Sequence, residues 1–472
     1  MEKLITTNPG SKANSSNISL QIQEVCARAS AFVKADHDIS SAEDLENVET
    51  EVRQIADQLF QATLTPILQA AVDSARTTEA ATELVRKLPR KLRSDGATEV
   101  DVRTSRGTVI TVKTPYYRER SAKGSQRRPG LYPALAVLGI WDRCTPKLAA
   151  LTSKAVAMLG SLKEACAQLA EDGIDLDIKT VRAIAYRYAA RARAAQHSTR
   201  FSLGDNVAGR RVVVSLDGGR VRVRRNKRGR RTRKGRRRLH TDWQEPKLLL
   251  IYVVADDGRA CRTWDPIIDG TLRGPDAIFA LLLSYARQLD LGKADKVLFV
   301  ADGAPWIWIR FQALVEQLGL SPKQVQMLID FYHAAQHLSQ AVKLVRWSTK
   351  RQNRWLNHYR RLLLRGEVEL VIAALRELTQ GRHARKLKVH LDYFQDSRGL
   401  FAYAKVRRLK LPRGSGGVES AIRRVINLRI KGASIYWLEE NVEAILLLRS
   451  FYKANRWPLL QRMATSTEAL AA

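Results

Sequence analysis

The chain has 472 residues, and 80 Lys or Arg against 47 Asp or Glu give it a formal charge of +33. Such an excess repels itself on folding and draws in polyanions, so DNA or RNA is the expected partner, with a ribosome-like basic protein as the alternative; an apolar content of 45% supports packed cores in roughly two to four domains. Cys26, Cys144, Cys166 and Cys261 show no CxxC spacing, no 18-residue apolar run occurs, and the N-terminus lacks an apolar signal core. These features argue against a cysteine-built zinc site, a disulfide framework and a membrane partner, and the chain reads as cytosolic.

Residues 1–15, rich in Asn, Ser, Thr and Gly, read as a disordered tail. Helical spacing fills 16–95, where "SAED" at Ser41 fits a capping box, and helices of this kind pack or oligomerise. Residues 96–130 switch to period two. "EVDVRTSRGTVITVKTPYYR" reads as a hairpin turned at Ser105 to Gly107, followed by the basic loop "ERSAKGSQRRPG". Helices return over 131–200. One ends at Glu171–Gly173, and the next starts near Asp177 and carries Lys179, Arg182, Arg187, Arg191 and Arg193. This pair is either a helix-turn-helix whose second helix enters a DNA groove, contacting it through Lys179, Arg182 and Arg187, or an ordinary helical hairpin with a solvated basic face.

From Arg210 the texture changes. "RRVVVSLDGGRVRVRR" reads as two strands joined at Asp217-Gly218-Gly219, and "WQEPKLLLIYVVADDGRA" as a third. Between them, Arg220 to Arg238 holds 13 Arg or Lys. So dense a run cannot be buried and suits an arm or long hairpin tip for phosphates, with Arg228, Arg230, Arg231, Arg233, Lys234, Arg236, Arg237 and Arg238 as its contacts. A helix from Pro275, a strand "KVLFVAD", a helix from Ala304 to Gln317 and a strand "QVQMLID" follow. Helical text then runs to about Lys388, "HLDYFQDSRGL" reads as a bend, and helices from about Val418 and Leu438 close the chain.

Asp217 ends the first of these strands, Asp302 ends "KVLFVA", and Glu419 opens a late helix. A mixed sheet with the first strand central would lay the two strand ends side by side under that helix, the ribonuclease-H-like arrangement. Three carboxylates so placed suit two hard divalent cations that activate a nucleophile and stabilise a leaving 3′ oxygen. Taken singly, each acid is equally a turn residue or a helix-N-terminal acid.

The motifs "VVVSLDGGRVRVRR", "WQEPK", "LFVADGAPWIW", "LIDFYHAAQHL" and "GSGGVESAIRRVINLRIKGASIYW" stand in one order. Together they resemble the DDE-type bacterial insertion-sequence transposases of the Mutator-like broad group. The resemblance implies a ribonuclease-H-like domain split over 205–335 and 409–472 by a helical insertion at 336–408. It implies a metal-binding catalytic triad at Asp217, Asp302 and Glu419, with Mg²⁺ as the ion and Mn²⁺ able to substitute. It adds an aspartate–histidine pair, Asp330 and His333, that orients the active-site loop or a DNA end. The implied activity is cleavage and strand transfer at the ends of a mobile element in the bacterial cytoplasm, in association with the nucleoid. The implied partners are the element's double-stranded terminal repeats, target DNA and further copies of the chain. Relatives often carry cysteines after a "YY" segment; here Tyr116-Tyr117 is followed by none, so zinc is not expected. Trp306 and Trp308, two apart, cannot share one helix face, and Trp306 is the DNA candidate; Arg423 and Arg424 flank the Glu419 helix and are candidates for phosphate contact. The alternatives are a catalytically silent DNA-binding regulator derived from a transposase and a nuclease of the same fold.

Overall fold

A computed structural model describes residues 9–119, 130–379, 383–432 and 435–470, without the side chains of 9–19 and 469. The chain forms two compact units, one of residues 1–196 with 461–472 and the other of 197–460.

The first unit begins with helices α1 (Pro9–Lys34), α2 (Ala42–Asp73) and α3 (Ala75–Lys87). The expected capping box opens α2: Ser41 and Asp44 each accept from the other's backbone. The expected tail lies outside the described residues as far as residue 8, but residues 9–15 are helical. Extending a helix is cheaper than nucleating one, so the apolar register beyond Asn17 carries the turns before it. Strands β1 (Leu92–Arg103) and β2 (Val109–Glu119) pair antiparallel around the expected turn. Most of the basic loop after them, 120–129, lies outside the described residues.

Helices α4 (Pro133–Val137), α5 (Pro146–Met158), α6 (Leu162–Glu171) and α7 (Ile178–Ala195) complete this part. Asp177 caps α7 by accepting from Thr180 N–H at 2.8 Å, and Gly173, at φ +78°, makes the turn after α6. Val181, Ile184, Ala185 and Tyr188 bury one face of α7 at helical spacing. Residues 461–472 also belong to this unit, not to the second as the sequence pattern suggested.

The second unit is built on a five-stranded mixed sheet. Its strands are β3 (Arg211–Gly218), β6 (Lys247–Val254), β7 (Ile267–Thr271), β8 (Lys296–Ala301) and β9 (Val325–Ile329), in the order β7-β6-β3-β8-β9. β3 is central: it runs antiparallel to β6 and parallel to β8. Its run Val212–Leu216 is buried because both sheet faces are covered. On one face pack α8 (Pro275–Gln288) and α9 (Pro305–Gln317). On the other pack α10 (Phe331–Lys343), α11 (Thr349–Arg365), α12 (Val368–Leu378), α13 (Ala384–Asp396) and α14 (Tyr403–Arg408). Short α15 (Gly416–Ile422) lies against β3 and β6 and runs into a π-helical turn, Arg423–Asn427. Then come α16 (Glu439–Lys453), against β7, and α17 (Trp457–Thr465).

The expected long hairpin is present: β4 (Val221–Asn226) pairs with β5 (Leu239–Gln244), apart from the main sheet. Its base is held by Arg224 N–H donating to Trp437 O at 2.8 Å and Trp437 N–H donating to Arg222 O at 3.0 Å. β7 is a strand the sequence reading does not include: the Asp269 side chain is buried against Tyr285 Oη at 2.7 Å, and Gly270 lies so close to Lys247 O that a Cβ would stand 2.8 Å from it. The bend at "HLDYFQD" is helix α13, because Leu387, Leu391 and Phe394 bury one helical face.

Candidate active site at the end of the central strand

Asp217 sits at the C-terminal end of β3, and Asp302 follows the last residue of the adjacent parallel strand β8. The two strand ends therefore lie side by side, as expected. The chain leaves β3 through two glycines that space requires: a Cβ on Gly218 would stand 1.9 Å from Glu245 Oε1, and one on Gly219 would stand 2.7 Å from Ile426 Cδ1. These close approaches bring Glu245 and the π turn against the Asp217 corner. Gly417 similarly lets α15 press onto Leu250.

Burial pushes the Asp217 carboxyl up to about 6, although Gly218 N–H, at 2.6 Å from Oδ1, lowers it. The negative charges of Asp302, Glu419 and Glu245 add to the rise. Glu245 is a fourth acid at this corner, paired with Lys247 at 2.7 Å. Lys247 in turn lies over the ring of Trp306 at 4.6 Å. Neither Glu245 nor Lys247 was singled out from the sequence; their place in "WQEPK", at the start of a strand flanking β3, was the available signal.

Asp302 is held by its own loop. Its Oδ1 accepts from Ala304 N–H at 3.0 Å, and its carbonyl accepts from Trp308 Nε1 at 3.0 Å. Trp308 is thus a loop anchor packed on the core. Trp306 is half-buried, edge-on to Phe279 and flanked by Lys247 and Arg310. Glu419 stands on α15, whose Val418, Ala421 and Ile422 are buried while Glu419 itself stays exposed. Among the described residues, no three His, Cys, Asp or Glu side chains form a group that could hold a metal ion as they stand. The acids at this corner affect one another electrostatically without forming a closed ligand shell.

Asp330 is 1% exposed and caps α10. It accepts from His333 N–H at 2.8 Å and from Ser415 Oγ at 2.7 Å, and also from Ser415 N–H. It therefore ties the start of α10 to the residue just before α15. The His333 ring lies 5.3 Å from that of His337 and 6.0 Å from that of Tyr393.

The basic candidates divide into two kinds. Among the described residues, Arg228, Arg230, Arg231, Arg233, Lys234, Arg236, Arg237 and Arg238 are exposed at the tip of the β4–β5 hairpin and form no ion pair. On α7, Lys179 and Arg182 are exposed, but Arg187 and Arg191 both engage Asp142, at 2.5 and 2.9 Å. Arg423 is exposed, and Arg424 Nε reaches Ser420 O at 3.4 Å within its own helix.

No family model, no curated protein and no solved structure matches this chain. No helix among the described residues is long and apolar enough to cross a membrane.

Proposed function

We propose that the chain is a DNA transposase of the DDE type, with a ribonuclease-H-like second unit that cleaves and joins DNA strands. The observation that carries the reading is the Asp217 corner: a carboxyl pushed up by burial and by three further acids, at the end of a central strand beside a parallel neighbour. Like charges gathered at a strand end are unfavourable unless a cation joins them. The donors are all carboxylate oxygens, which suits Mg²⁺ or Mn²⁺, and Asp217, Asp302 and Glu419 would hold the ion. Because Glu419 is exposed and no closed shell exists, it would have to be drawn in when DNA and ion arrive. A bound divalent ion supplies an activated nucleophile and charge stabilisation for the leaving oxygen.

The chain's own residues do the rest. Asp330 fixes the loop that leads to Glu419. Trp308 fixes the Asp302 loop. The hairpin, leaving the sheet two residues beyond Gly219, offers phosphates the exposed guanidinium groups of its tip, which no acid engages among the described residues. Arg423 and Arg424 lie one turn beyond Glu419 and would meet the strand being cut. Lys179 and Arg182 are the free cations of α7 for a DNA groove.

A DNA-binding regulator derived from such an enzyme is the second reading, favoured by the absence of an assembled ligand group among the described residues. One experiment separates the two. Duplex DNA from either flank of the gene is incubated with the full chain in Mg²⁺ and in EDTA. Cleavage in Mg²⁺ alone, lost in Asp217→Asn, Asp302→Asn and Glu419→Gln while each still binds DNA, supports the transposase. Binding without cleavage by the natural chain supports the regulator.

A further inference from the structure

Tyr393 lies on α13, in the helical segment between the second and third acids. Its ring covers Gly303 so closely that a Cβ there would stand 2.2 Å from Cε2. The ring's position is fixed from the other side. It stacks on His337 at 3.7 Å and 9°, and His337 Nδ1 lies 3.1 Å from His390 Nδ1, which joins α10 to α13. Burial pushes the His337 imidazole down to about 4, with His333 and His390 adding to the fall, so the stack is neutral at ordinary pH.

The Tyr393 hydroxyl is buried and has no hydrogen-bond partner among the described residues. A phenol is a hydrogen-bond donor at ordinary pH, and this one sits between two carboxylates: its ring touches the Asp302 loop at Gly303 and lies 6.0 Å from that of His333, whose backbone N–H is held by Asp330. Those carboxylates differ in spare capacity. Asp330 already accepts from three donors on His333 and Ser415. Asp302 accepts on Oδ1 from Ala304 N–H, and its Oδ2 has no donor among the described residues. A buried hydroxyl left unpaired costs the free energy of its lost hydrogen bonds to water.

We infer that Tyr393 is a positioning residue of the acidic corner, its hydroxyl donating to Asp302 Oδ2 when a divalent cation is held there. The inference rests on the reading of Asp217, Asp302 and Glu419 as cation ligands. Carboxylates that bind ions are themselves held by hydrogen bonds, and removing such a partner weakens ion affinity about 10- to 100-fold. The helical segment would then complete the site with one hydroxyl aimed past Gly303.

The test titrates Mn²⁺ into the full-length protein, with free ion counted by its electron paramagnetic resonance signal. The natural chain, Tyr393→Phe and Asp302→Asn are compared, and the ion-free melting temperature of each is measured in parallel. Tyr393→Phe keeps the ring and removes only the unpaired hydroxyl. It is expected to melt, ion-free, at or above the natural chain and to bind Mn²⁺ at least about tenfold more weakly. Asp302→Asn is expected to lose that binding. Unchanged Mn²⁺ affinity in Tyr393→Phe, with loss in Asp302→Asn, overturns the inference and leaves the reading of the site standing. Equal binding by all three overturns that reading and the inference with it. An ion-free melting temperature below the natural one means that the hydroxyl already has a protein partner, and this also overturns the inference.

Discussion

Asp217 and Asp330 both stand at C-terminal strand ends of one sheet, and their surroundings are opposite. Asp330 is almost fully enclosed and accepts from three donors. Asp217 accepts from its neighbour Gly218 and otherwise faces three more acids. A carboxylate whose acceptor sites are filled by protein is a clamp; one pushed up by burial and like charge is short of a positive partner. The same contrast separates two basic regions. Arg187 and Arg191 of α7 are already engaged by Asp142, whereas among the described residues no acid pairs with Arg228–Arg238 of the hairpin tip. Where the protein satisfies a charge it builds structure, and where it leaves a charge unsatisfied we propose that DNA or a cation satisfies it.

The largest expected effect is on strand cleavage. Asp217→Asn should lower it about 10³-fold or more, since the lost charge stabilisation is worth several kcal/mol. Asp330→Asn should act through folding instead, so equal melting temperatures with a 10³-fold loss at Asp330 would erase the distinction. Next is the hairpin tip. Replacing Arg228, Arg230, Arg231, Arg233, Arg236 and Arg237 by Ser should weaken binding to unrelated duplex DNA about 10²-fold or more. The log–log salt slope should flatten by up to about 5. Arg187→Ala should barely move that slope; a larger change there than at the tip would invert the comparison.

Asp330→Ala comes third. It removes the α10 cap and strands the Ser415 donors, for a loss of about 3 kcal/mol in a urea melt. The smallest effect is on pH dependence. The Asp217 carboxyl is raised in the folded chain, so between about pH 4 and 6 the unfolded chain loses a proton that the folded chain keeps. Stability therefore falls as pH rises through that window, by about 2 kcal/mol at most. Asp217→Asn lacks this loss, so its ion-free advantage over the natural chain should grow from pH 4 to pH 6.5. A constant difference across that range would mean that Asp217 is not raised.

Much of this arrangement was legible because it rests on short-range pattern. The buried run Val212–Leu216 marked the central strand, and the Ser105–Gly107 turn marked the first hairpin. The Gly173 turn and the Asp177 cap marked the boundary between α6 and α7. What stayed hidden depends on long-range contacts. β7 could not be read because Asp269 and Gly270 suit a strand only beside Tyr285 and β6. Tyr393 was missed because its segment was taken for a bend; a helix drawn through 384–396 puts His390 and Tyr393 three apart on neighbouring positions of one face. Glu245 lay within a recognised motif, but nothing local shows that Gly218 is small to admit it. Arg187 read as a free cation because Asp142, its partner, is 45 residues away.

The central claim is that acids from three distant segments hold one divalent ion. Fe²⁺ exchanged for Mg²⁺ in the full-length protein bound to flanking DNA, with ascorbate and peroxide, cuts the polypeptide next to wherever the ion sits. The account predicts cuts close to residues 217, 302 and 419, suppressed by excess Mg²⁺ and lost together in Asp217→Asn. Cuts confined to other segments, or cuts at these three that persist in Asp217→Asn, would contradict it.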